Sequence, residues 1–205
     1  MRSNKTPVRK SQKLLNLVLL VLGILALSAA FVSQWSGEKP ARDMLQNPPF
    51  AEQTRSDGFK TLDAKVVRVA DGDTVYVKGP DGSEQRVRLL GIDAPESKQA
   101  WGKESEQNLK RNLRSSDYRV QVVYKGHDQY GRIVGKLVAN GKDLNLAQVA
   151  SGNAWVYKNF LRDLEPGDAD RYLKAEAGAR AEKLGLWQQD NPQNPREWRK
   201  EHPRN

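Results

Sequence analysis

The chain has 205 residues, no cysteine, two histidines and a formal net charge of +9. The lack of cysteine excludes disulfides, thiolate metal sites and a cysteine nucleophile, and two histidines are too few for a histidine-built zinc site. The net charge suits a polyanionic partner, although many proteins of this charge bind none. Composition therefore narrows the possible chemistry without identifying it.

An apolar segment of nineteen residues, Leu14–Val32, follows the basic residues 1–13. A helix of this length spans about 28 Å, which is close to the hydrocarbon thickness of a bilayer. Because basic flanks stay in the cytoplasm, we expect one transmembrane helix that anchors the chain in a cell membrane. The rest of the chain then lies outside the cytoplasm.

The same segment also fits a cleavable signal peptide. Ser28 and Ala30 are small residues at the −3 and −1 positions of a cut after Ala30. The apolar run is longer than the ~7–15 residues usual in signal peptides, which favours an uncleaved anchor. A secreted or periplasmic protein is the alternative. Residues 33–60 are polar and proline-containing, and we interpret them as a linker.

Five segments of the next region are predicted to be strands, because they are short, rich in β-branched residues and bounded by turn residues. The second of them alternates most clearly, with Val75 and Val77 on one face. The predicted strands are Thr61–Ala70, Thr74–Lys78, Glu84–Ile92, Tyr118–Tyr124 and Arg132–Ala139.

Three helices are predicted among these strands. The first is Ser97–Leu113, the second is capped by Asp143 and ends at Gly152, and the third is capped by Asp168 and runs to about Leu184. Five strands with a helix after the third indicate an α+β domain, residues 61–187, with an OB-type barrel. The sequence alone leaves an open sheet possible. Residues 188–205 form a polar tail whose composition predicts disorder.

Three polar segments stand where predicted strands begin or end. Asp71–Thr74 reads DGDT, Arg88–Glu96 reads RLLGIDAPE, and Asp128–Arg132 reads DQYGR. Proline stops a strand and favours an extended residue before it, so the second segment presents two carboxylates and a carbonyl at a strand end. Each segment alone is a weak signal, because Asp-Gly-Asp occurs in many hairpins.

In this order the three segments resemble the catalytic segments of the thermonuclease, or staphylococcal nuclease, family. That family shows D-G-D-T, then R-x-x-x-x-D-[TA]-P-E, then D-x-Y-G-R. The resemblance runs from about Lys65 to Trp187 and implies a closed barrel with nuclease activity. The tail sequence PREWRK, Pro195–Lys200, is similar to the Pro-x-x-Trp-Arg ending of bacterial exported members. This similarity implies that Trp198 docks on the domain.

The resemblance implies that Asp73 and Asp93 bind a metal ion together with the carbonyl of Ala94. Oxygen ligands without histidine or cysteine suit a hard cation. Few protein ligands leave room for water and phosphate, which fits Ca²⁺, and Mg²⁺ is the alternative. Asp71 and Thr74 are expected to orient these ligands. Without the resemblance, Asp73 fits an ordinary turn residue better.

The same resemblance assigns Glu96 as the general base that takes a proton from the attacking water, a role worth ~10²–10⁴-fold in rate. Capping of the following helix is the alternative role for Glu96. Arg88 and Arg132 are assigned as phosphate clamps, because a guanidinium offers paired donors to two phosphate oxygens. For Arg88 the alternative is a solvated residue on a strand.

Three aromatic residues are candidates for contact with the nucleotide by base stacking or by a phosphate contact. Tyr130 and Tyr157 match tyrosines of the family's nucleotide pocket, and Trp155 replaces a tyrosine there. Considered without the resemblance, Trp155 fits core packing better.

We therefore expect a Ca²⁺-dependent nuclease that hydrolyses DNA and RNA with little sequence preference, as a monomer held to the bilayer by residues 14–32. The first alternative is a non-catalytic OB-fold module that binds single-stranded nucleic acid or a protein partner. A membrane-tethered docking scaffold is a third, weaker possibility. Neither needs all of the charged site residues together: Asp73, Arg88, Asp93, Glu96 and Arg132.

Overall fold

The structure is a computed structural model, and it describes residues 53–203 of the chain. Within that range the strands are β1 (Gln53–Thr54), β2 (Lys60–Val69), β3 (Thr74–Lys78), β4 (Glu84–Leu89), β5 (Ile92–Asp93), β6 (Arg119–His127), β7 (Ile133–Ala139), β8 (Lys142–Asp143) and β9 (Trp155–Val156). The helices are α1 (Gly102–Arg114), α2 (Leu144–Ala150), α3 (Asp168–Ala181) and α4 (Pro195–Glu201), with 3₁₀ turns at Lys158–Asp163 and Gly185–Gln188.

Five of the strands form a closed barrel in the order β2-β3-β4-β7-β6, with β6 pairing back onto β2. The pairs are antiparallel except for β4 and β7, which run parallel. Closure removes the exposed sheet edges that an open sheet would leave. The predicted α+β fold with a five-stranded barrel is confirmed.

Alternation along the strands puts the apolar residues inside the barrel. On β7 every second residue is buried, beginning with Ile133 and ending with Ala139. Val75 and Val77 on β3 are fully buried, as the sequence pattern predicts. Each fully buried aliphatic side chain of this size contributes about 1.5–3 kcal/mol to stability. Leu109 from α1 packs into the same core.

The predicted third strand is interrupted, so its single span of Glu84–Ile92 is wrong. The chain turns at Gly91, whose φ of 78° is unfavourable for other residues, and a Cβ there would lie 3.0 Å from Leu164. After this turn β5 leaves the barrel and pairs with β9, with Ile92 opposite Val156. Asp93, the last residue of β5, and Glu96 after it therefore lie outside the barrel strands.

Of the two predicted helix caps, the structure confirms one and contradicts the other. The side chain of Asp143 caps α2 by accepting a hydrogen bond from the N–H of Leu146 at 2.9 Å. Asp168 does not cap α3, because Gly167 occupies that position. The Asp168 carboxylate instead accepts hydrogen bonds from Lys136 at 2.8 Å and Arg171 at 2.6 Å.

The tail contains a helix, so the composition-based prediction of disorder is wrong. Asn194 caps α4 by accepting from the N–H of Arg196 at 2.9 Å, and proline occupies the first helical position. The predicted anchor Leu14–Val32 lies outside the described residues, as do the basic segment before it and most of the linker. Among the helices within residues 53–203, none is both long and apolar enough to cross a bilayer.

Candidate active site

The DGDT turn is packed tightly against two other parts of the site. A Cβ built at Gly72 would overlap the hydroxyl of Ser105 and the side chain of Ala94, so only glycine fits there. Within the turn, the N–H of Asp73 donates to the carboxylate of Asp71 at 3.0 Å. The turn is therefore held in one conformation that directs Asp73 to the interior.

Arg88 joins the first and second site segments. It lies on β4 opposite Thr74 of β3. Its Nη1 forms an ion pair with Oδ1 of Asp73, and its Nη2 donates to Oδ1 of Asp93 at 2.7 Å. Asp73 also accepts from the Thr74 hydroxyl at 3.1 Å and, through Oδ2, from the N–H of Ala94 at 2.6 Å. One guanidinium therefore spans both predicted metal-binding carboxylates.

The electrostatics of this cluster follow from its burial. The side chains of Arg88 and Asp93 are only 17% and 3% exposed. Burial lowers the pKa of Arg88, and the charge of Asp93 opposes this change. Burial raises the pKa of Asp71, and the charge of Arg88 opposes that. Because arginine starts far above neutral pH, Arg88 stays a cation between the carboxylates.

Glu96 follows β5 at the mouth of the site. Its backbone N–H donates to the side chain of Gln99 at 3.1 Å, and its carboxylate accepts from Arg199 at 2.9 Å. The helix-capping alternative is wrong, because α1 begins only at Gly102, with Trp101 at its N-cap position. The Glu96 side chain lines the cleft described below.

The DQYGR loop is organised by the carboxylate of Asp128. This carboxylate accepts from the N–H of Tyr130 at 2.9 Å, from the N–H of Arg132 at 3.0 Å and from Nε of Arg132 at 2.7 Å. Burial pulls the pKa of Asp128 upward, but the hydrogen bonds from Arg132 outweigh it and the pKa is lowered. Asp128 therefore positions Tyr130 and Arg132. The sequence predicted no role for Asp128, although it is the first residue of the DQYGR motif.

These segments open onto one cleft of about 880 Å³. It brings together most of the predicted site residues, and Tyr130, 74% exposed, stands at its edge. Tyr157 lies beside Phe160, with ring centroids 5.0 Å apart. Predicted site residues that line the cleft are Asp71, Asp73, Thr74, Arg88, Glu96, Tyr130, Arg132 and Tyr157.

Trp155 is placed elsewhere. Its ring packs edge-on against Trp187, with centroids 4.3 Å apart, and Arg180 lies over it at 4.9 Å. It lines a smaller cavity next to Pro95 and is not part of the cleft lining. Its predicted stacking role gains no support from this placement, and the packing alternative fits it better.

Two buried amides on α2 support the site, and sequence reasoning missed both. Gln148 donates to the carbonyl of Gly72 at 2.8 Å, and Asn145 donates to the carbonyl of Leu90 at 3.0 Å. These bonds hold the DGDT turn and the chain just before β5 against the same helix. Their only sequence signal is a pair of amides three residues apart on an otherwise apolar helix face.

The oxygen-rich donor set can be compared with what a metal ion requires. Within residues 53–203, no three or more His, Asp or Glu side chains are grouped so as to hold a metal ion. Asp73 and Asp93 contact the same guanidinium, one through Nη1 and the other through Nη2, so the two carboxylates lie close together. Carboxylate oxygens are the kind of donor that suits a hard cation such as Ca²⁺.

Comparison with known proteins identifies the family of the chain. A family model described as staphylococcal nuclease homologue matches residues 86–189. The chain belongs to the staphylococcal nuclease family. The matched residues do not include the DGDT turn, Asp71–Thr74. The place of this turn in the site is therefore known from the structure and not from the family match.

Bacterial relatives carry nuclease names. The chain is 34% identical over 137 residues to an uncharacterized endonuclease of Haemophilus influenzae, covering 67% of this chain and 72% of that protein. It is 39% identical over 145 residues to a micrococcal nuclease of Shigella flexneri, covering 66% and 79%. It is 38% identical over 139 residues to an uncharacterized endonuclease of Escherichia coli, covering 67% and 85%. These likenesses support nuclease activity in general.

Proposed function

We propose that this family member is a Ca²⁺-dependent nuclease that hydrolyses phosphodiester bonds of DNA and RNA with little sequence specificity. The observation that carries the proposal is the placement of Arg88, which joins the buried carboxylates of Asp73 and Asp93 beside the cleft lined by Glu96. A module that only binds nucleic acid gains nothing from burying two carboxylates and an arginine together, because burying charges is costly.

A phosphodiester is a difficult substrate because it is anionic and gains negative charge in the transition state. Arg88 and Arg132 each present a guanidinium to the cleft, and both are fixed by carboxylates: Arg88 by Asp73 and Asp93, Arg132 by Asp128. The N–H groups that these bonds leave over can donate to non-bridging phosphate oxygens. Donors that are already oriented stabilise the developing charge without reorganisation.

Glu96 is the base in this mechanism. Its carboxylate takes a proton from a water molecule, and the water oxygen forms the new bond to phosphorus. The bond from phosphorus to the leaving oxygen then breaks, and that oxygen takes up a proton from solvent water. Asp73, Asp93 and the Ala94 carbonyl would hold the calcium ion, which supplies positive charge next to the phosphate when bound.

Low sequence specificity is supported by the kind of side chains at the cleft. Tyr130, Tyr157 and Phe160 offer ring faces, and every base can stack on a ring face. Stacking of this kind tolerates any sequence and either sugar, so DNA and RNA are both proposed as substrates.

The test is a nuclease assay on the full chain in detergent, with single-stranded DNA, duplex DNA and RNA as substrates. We expect cleavage in Ca²⁺, loss of cleavage in excess chelator, and recovery when Ca²⁺ is restored. Undiminished cleavage in excess chelator would contradict the metal assignment. Tight binding of single strands without cleavage in Ca²⁺ would favour the non-catalytic module.

We further propose that Leu14–Val32 anchors the protein in the membrane with the nuclease domain outside the cytoplasm, as a monomer. The support is the length and apolar character of this segment and the basic residues before it. Cell fractionation should find the protein with membranes. Proteolysis within residues 33–60 should release an active domain. A mature N-terminus at Phe31 would show instead that the segment is a cleaved signal peptide.

A further inference from the structure

The C-terminal helix α4 is tied to the strand end that carries Glu96. Gln99 accepts a hydrogen bond from the N–H of Glu96 through Oε1 at 3.1 Å. The same side chain donates through Nε2 to the carbonyl of Gln193 at 2.7 Å, just before α4 begins. One buried amide therefore connects the two, and α4 has a defined position relative to the site.

Arg199 of α4 reaches the carboxylates at the centre of the site. Its Nη1 donates to Asp93 Oδ1 at 3.1 Å and to Glu96 Oε1 at 2.9 Å, and its Nη2 donates to Asp93 Oδ2 at 2.9 Å. Arginine is a cation at any pH near neutral. The side chain of Arg199 is 34% exposed and lines the cleft, whereas that of Asp93 is only 3% exposed.

Two aromatic rings of α4 line the same cleft as this arginine. Trp198 and His202 stack with ring centroids 4.3 Å apart and an angle of 11° between the planes. Both residues line the same cleft as Arg88 and Glu96. One short helix therefore contributes both a pair of stacked aromatic rings and a guanidinium to the lining of the cleft.

This combination is suited to a nucleotide. A guanidinium has five N–H donors, and the bonds to Asp93 and Glu96 leave others for an additional acceptor. A phosphate close enough for a water on Glu96 to attack it also lies within reach of Arg199. The base of the adjacent nucleotide in the nucleic acid can then stack on the rings of Trp198 and His202.

We propose that α4 is part of the substrate site. Arg199 binds a phosphate oxygen of the nucleic acid, and the stacked rings of Trp198 and His202 hold a neighbouring base. This inference rests on the proposed nuclease function. The three motif segments of the barrel do not include these residues, which come from the last helix of the described chain.

An alternative is that Arg199 acts as a plug, which means that it blocks the proposed Ca²⁺ site. Its bonds use both oxygens of Asp93, and a cation would compete for them. Removing a plug would tighten Ca²⁺ binding and raise turnover. The substrate role is favoured because a plug does not need Trp198 and His202 on the cleft surface.

The first experiment measures steady-state cleavage of single-stranded DNA by the full chain in saturating Ca²⁺. We expect Arg199→Ala to raise KM about tenfold, with part of the affinity recovered in Arg199→Lys, because lysine keeps the charge and loses the paired donors. Arg196→Ala is the matched control, because Arg196 is exposed on the same helix and does not line the cleft. It should behave as wild type.

The second experiment measures binding rather than turnover. Fluorescence anisotropy with an eight-nucleotide oligo-dT is recorded in Ca²⁺ on a Glu96→Gln background at several salt concentrations. Adding Arg199→Ala should lower the salt slope by about 0.7, as expected for the loss of one phosphate contact with a single strand. Trp198→Ala should weaken binding about tenfold, and Trp198→Phe should restore most of it because the ring face is kept. Calorimetric titration gives the Ca²⁺ affinity of each variant.

The outcomes separate this inference from the proposed function. If wild type and Arg196→Ala do not cut DNA, the nuclease proposal itself fails. If both cut and Arg199→Ala matches them in KM and in salt slope, only the role of α4 is overturned. Tighter Ca²⁺ binding and faster turnover in Arg199→Ala would overturn it as well and identify a plug.

Discussion

The Oδ2 atom of Asp73 accepts a hydrogen bond from the backbone N–H of Ala94 at 2.6 Å. The two residues are 21 positions apart in the chain, and this bond fixes the DGDT turn against the strand end that carries Asp93 and Glu96. The other Asp73 oxygen contacts Arg88. The carboxylate therefore has a structural task in addition to its proposed role as a metal ligand, so Asp73 is a poor position for separating fold from function.

Glu96 is a better position, and the isosteric amides of Glu96 and Asp93 should have different effects. Glu96→Gln keeps the shape of the side chain but cannot accept the proton, so kcat should fall by roughly 10²–10⁴ with Ca²⁺ affinity little changed. Asp93→Asn should lose Ca²⁺ affinity first, so high Ca²⁺ should recover part of the rate. The measurement is a Ca²⁺ titration of the cleavage rate for both variants. Rescue of Glu96→Gln but not of Asp93→Asn would show that the two roles are reversed.

Arg88→Lys should lose most activity while the protein stays folded. Lysine keeps the positive charge but cannot span Asp73 and Asp93 with paired donors, and we expect a fall in kcat/KM of about 10²-fold or more. Arg68→Lys is the matched control, since Arg68 is exposed and lies over the ring of Tyr76 at 3.5 Å. Circular dichroism confirms folding of both. Wild-type turnover in Arg88→Lys would assign Arg88 a structural role only.

Gln148→Leu should reduce both stability and activity. Leucine fills a similar volume, but the carbonyls of Gly72 and Ser105 then lose a buried donor, at a cost of about 1–3 kcal/mol for each unsatisfied group. Because the DGDT turn loses its anchor on α2, kcat/KM should also fall. Gln121→Leu, on the exposed face of β6, should change stability by no more than about 0.5 kcal/mol. Thermal unfolding and steady-state kinetics test both variants, and equal behaviour of the two would refute the anchoring role.

Asp143→Asn should change the pH dependence of stability. Burial raises the pKa of Asp143, opposed by the hydrogen bond from the N–H of Leu146. For a carboxyl group with a raised folded-state pKa, the cost of the charge is absent below the unfolded-state value of about 3.9 and is fully present above the folded-state value. Asparagine keeps an oxygen for the cap and for the Tyr172 hydroxyl, and it does not ionise.

The stability of Asp143→Asn relative to wild type should therefore increase as pH rises from about 3.9 to 7. The measurement is the free energy of unfolding of both proteins in urea at a series of pH values. A difference that stays constant with pH would show that Asp143 titrates alike in the folded and unfolded states.

Local sequence signals predicted the elements that depend on local chemistry. The alternation around Val75 and Val77 predicted β3, and Asp143 predicted the start of α2. The order of the three motif segments predicted which charged groups meet. Gly91 was missed as a break, because the residues on both sides of it continue the apolar pattern of one strand.

Other features depend on contacts between distant parts of the chain. Arg199 lies 103 positions from Glu96, and a basic residue in a polar tail does not reveal a partner at that distance. Trp155 turns toward Trp187, which a motif comparison with the family's tyrosine cannot show. The disorder predicted for the tail failed because composition does not register the Asn194 cap or the tie from Gln99.

The pairing of β2 with β6 has a consequence for the order in which the chain folds. Lys60 pairs with Tyr124, so the ring cannot close until β6 has been synthesised, whereas the β3–β4 hairpin needs only its own turn. Arg132 enters the site later still, just before β7. A nascent chain that has reached only α1 therefore holds Asp73, Arg88 and Glu96 without a closed barrel to align them, and it should be inactive toward the cell's own nucleic acids during synthesis.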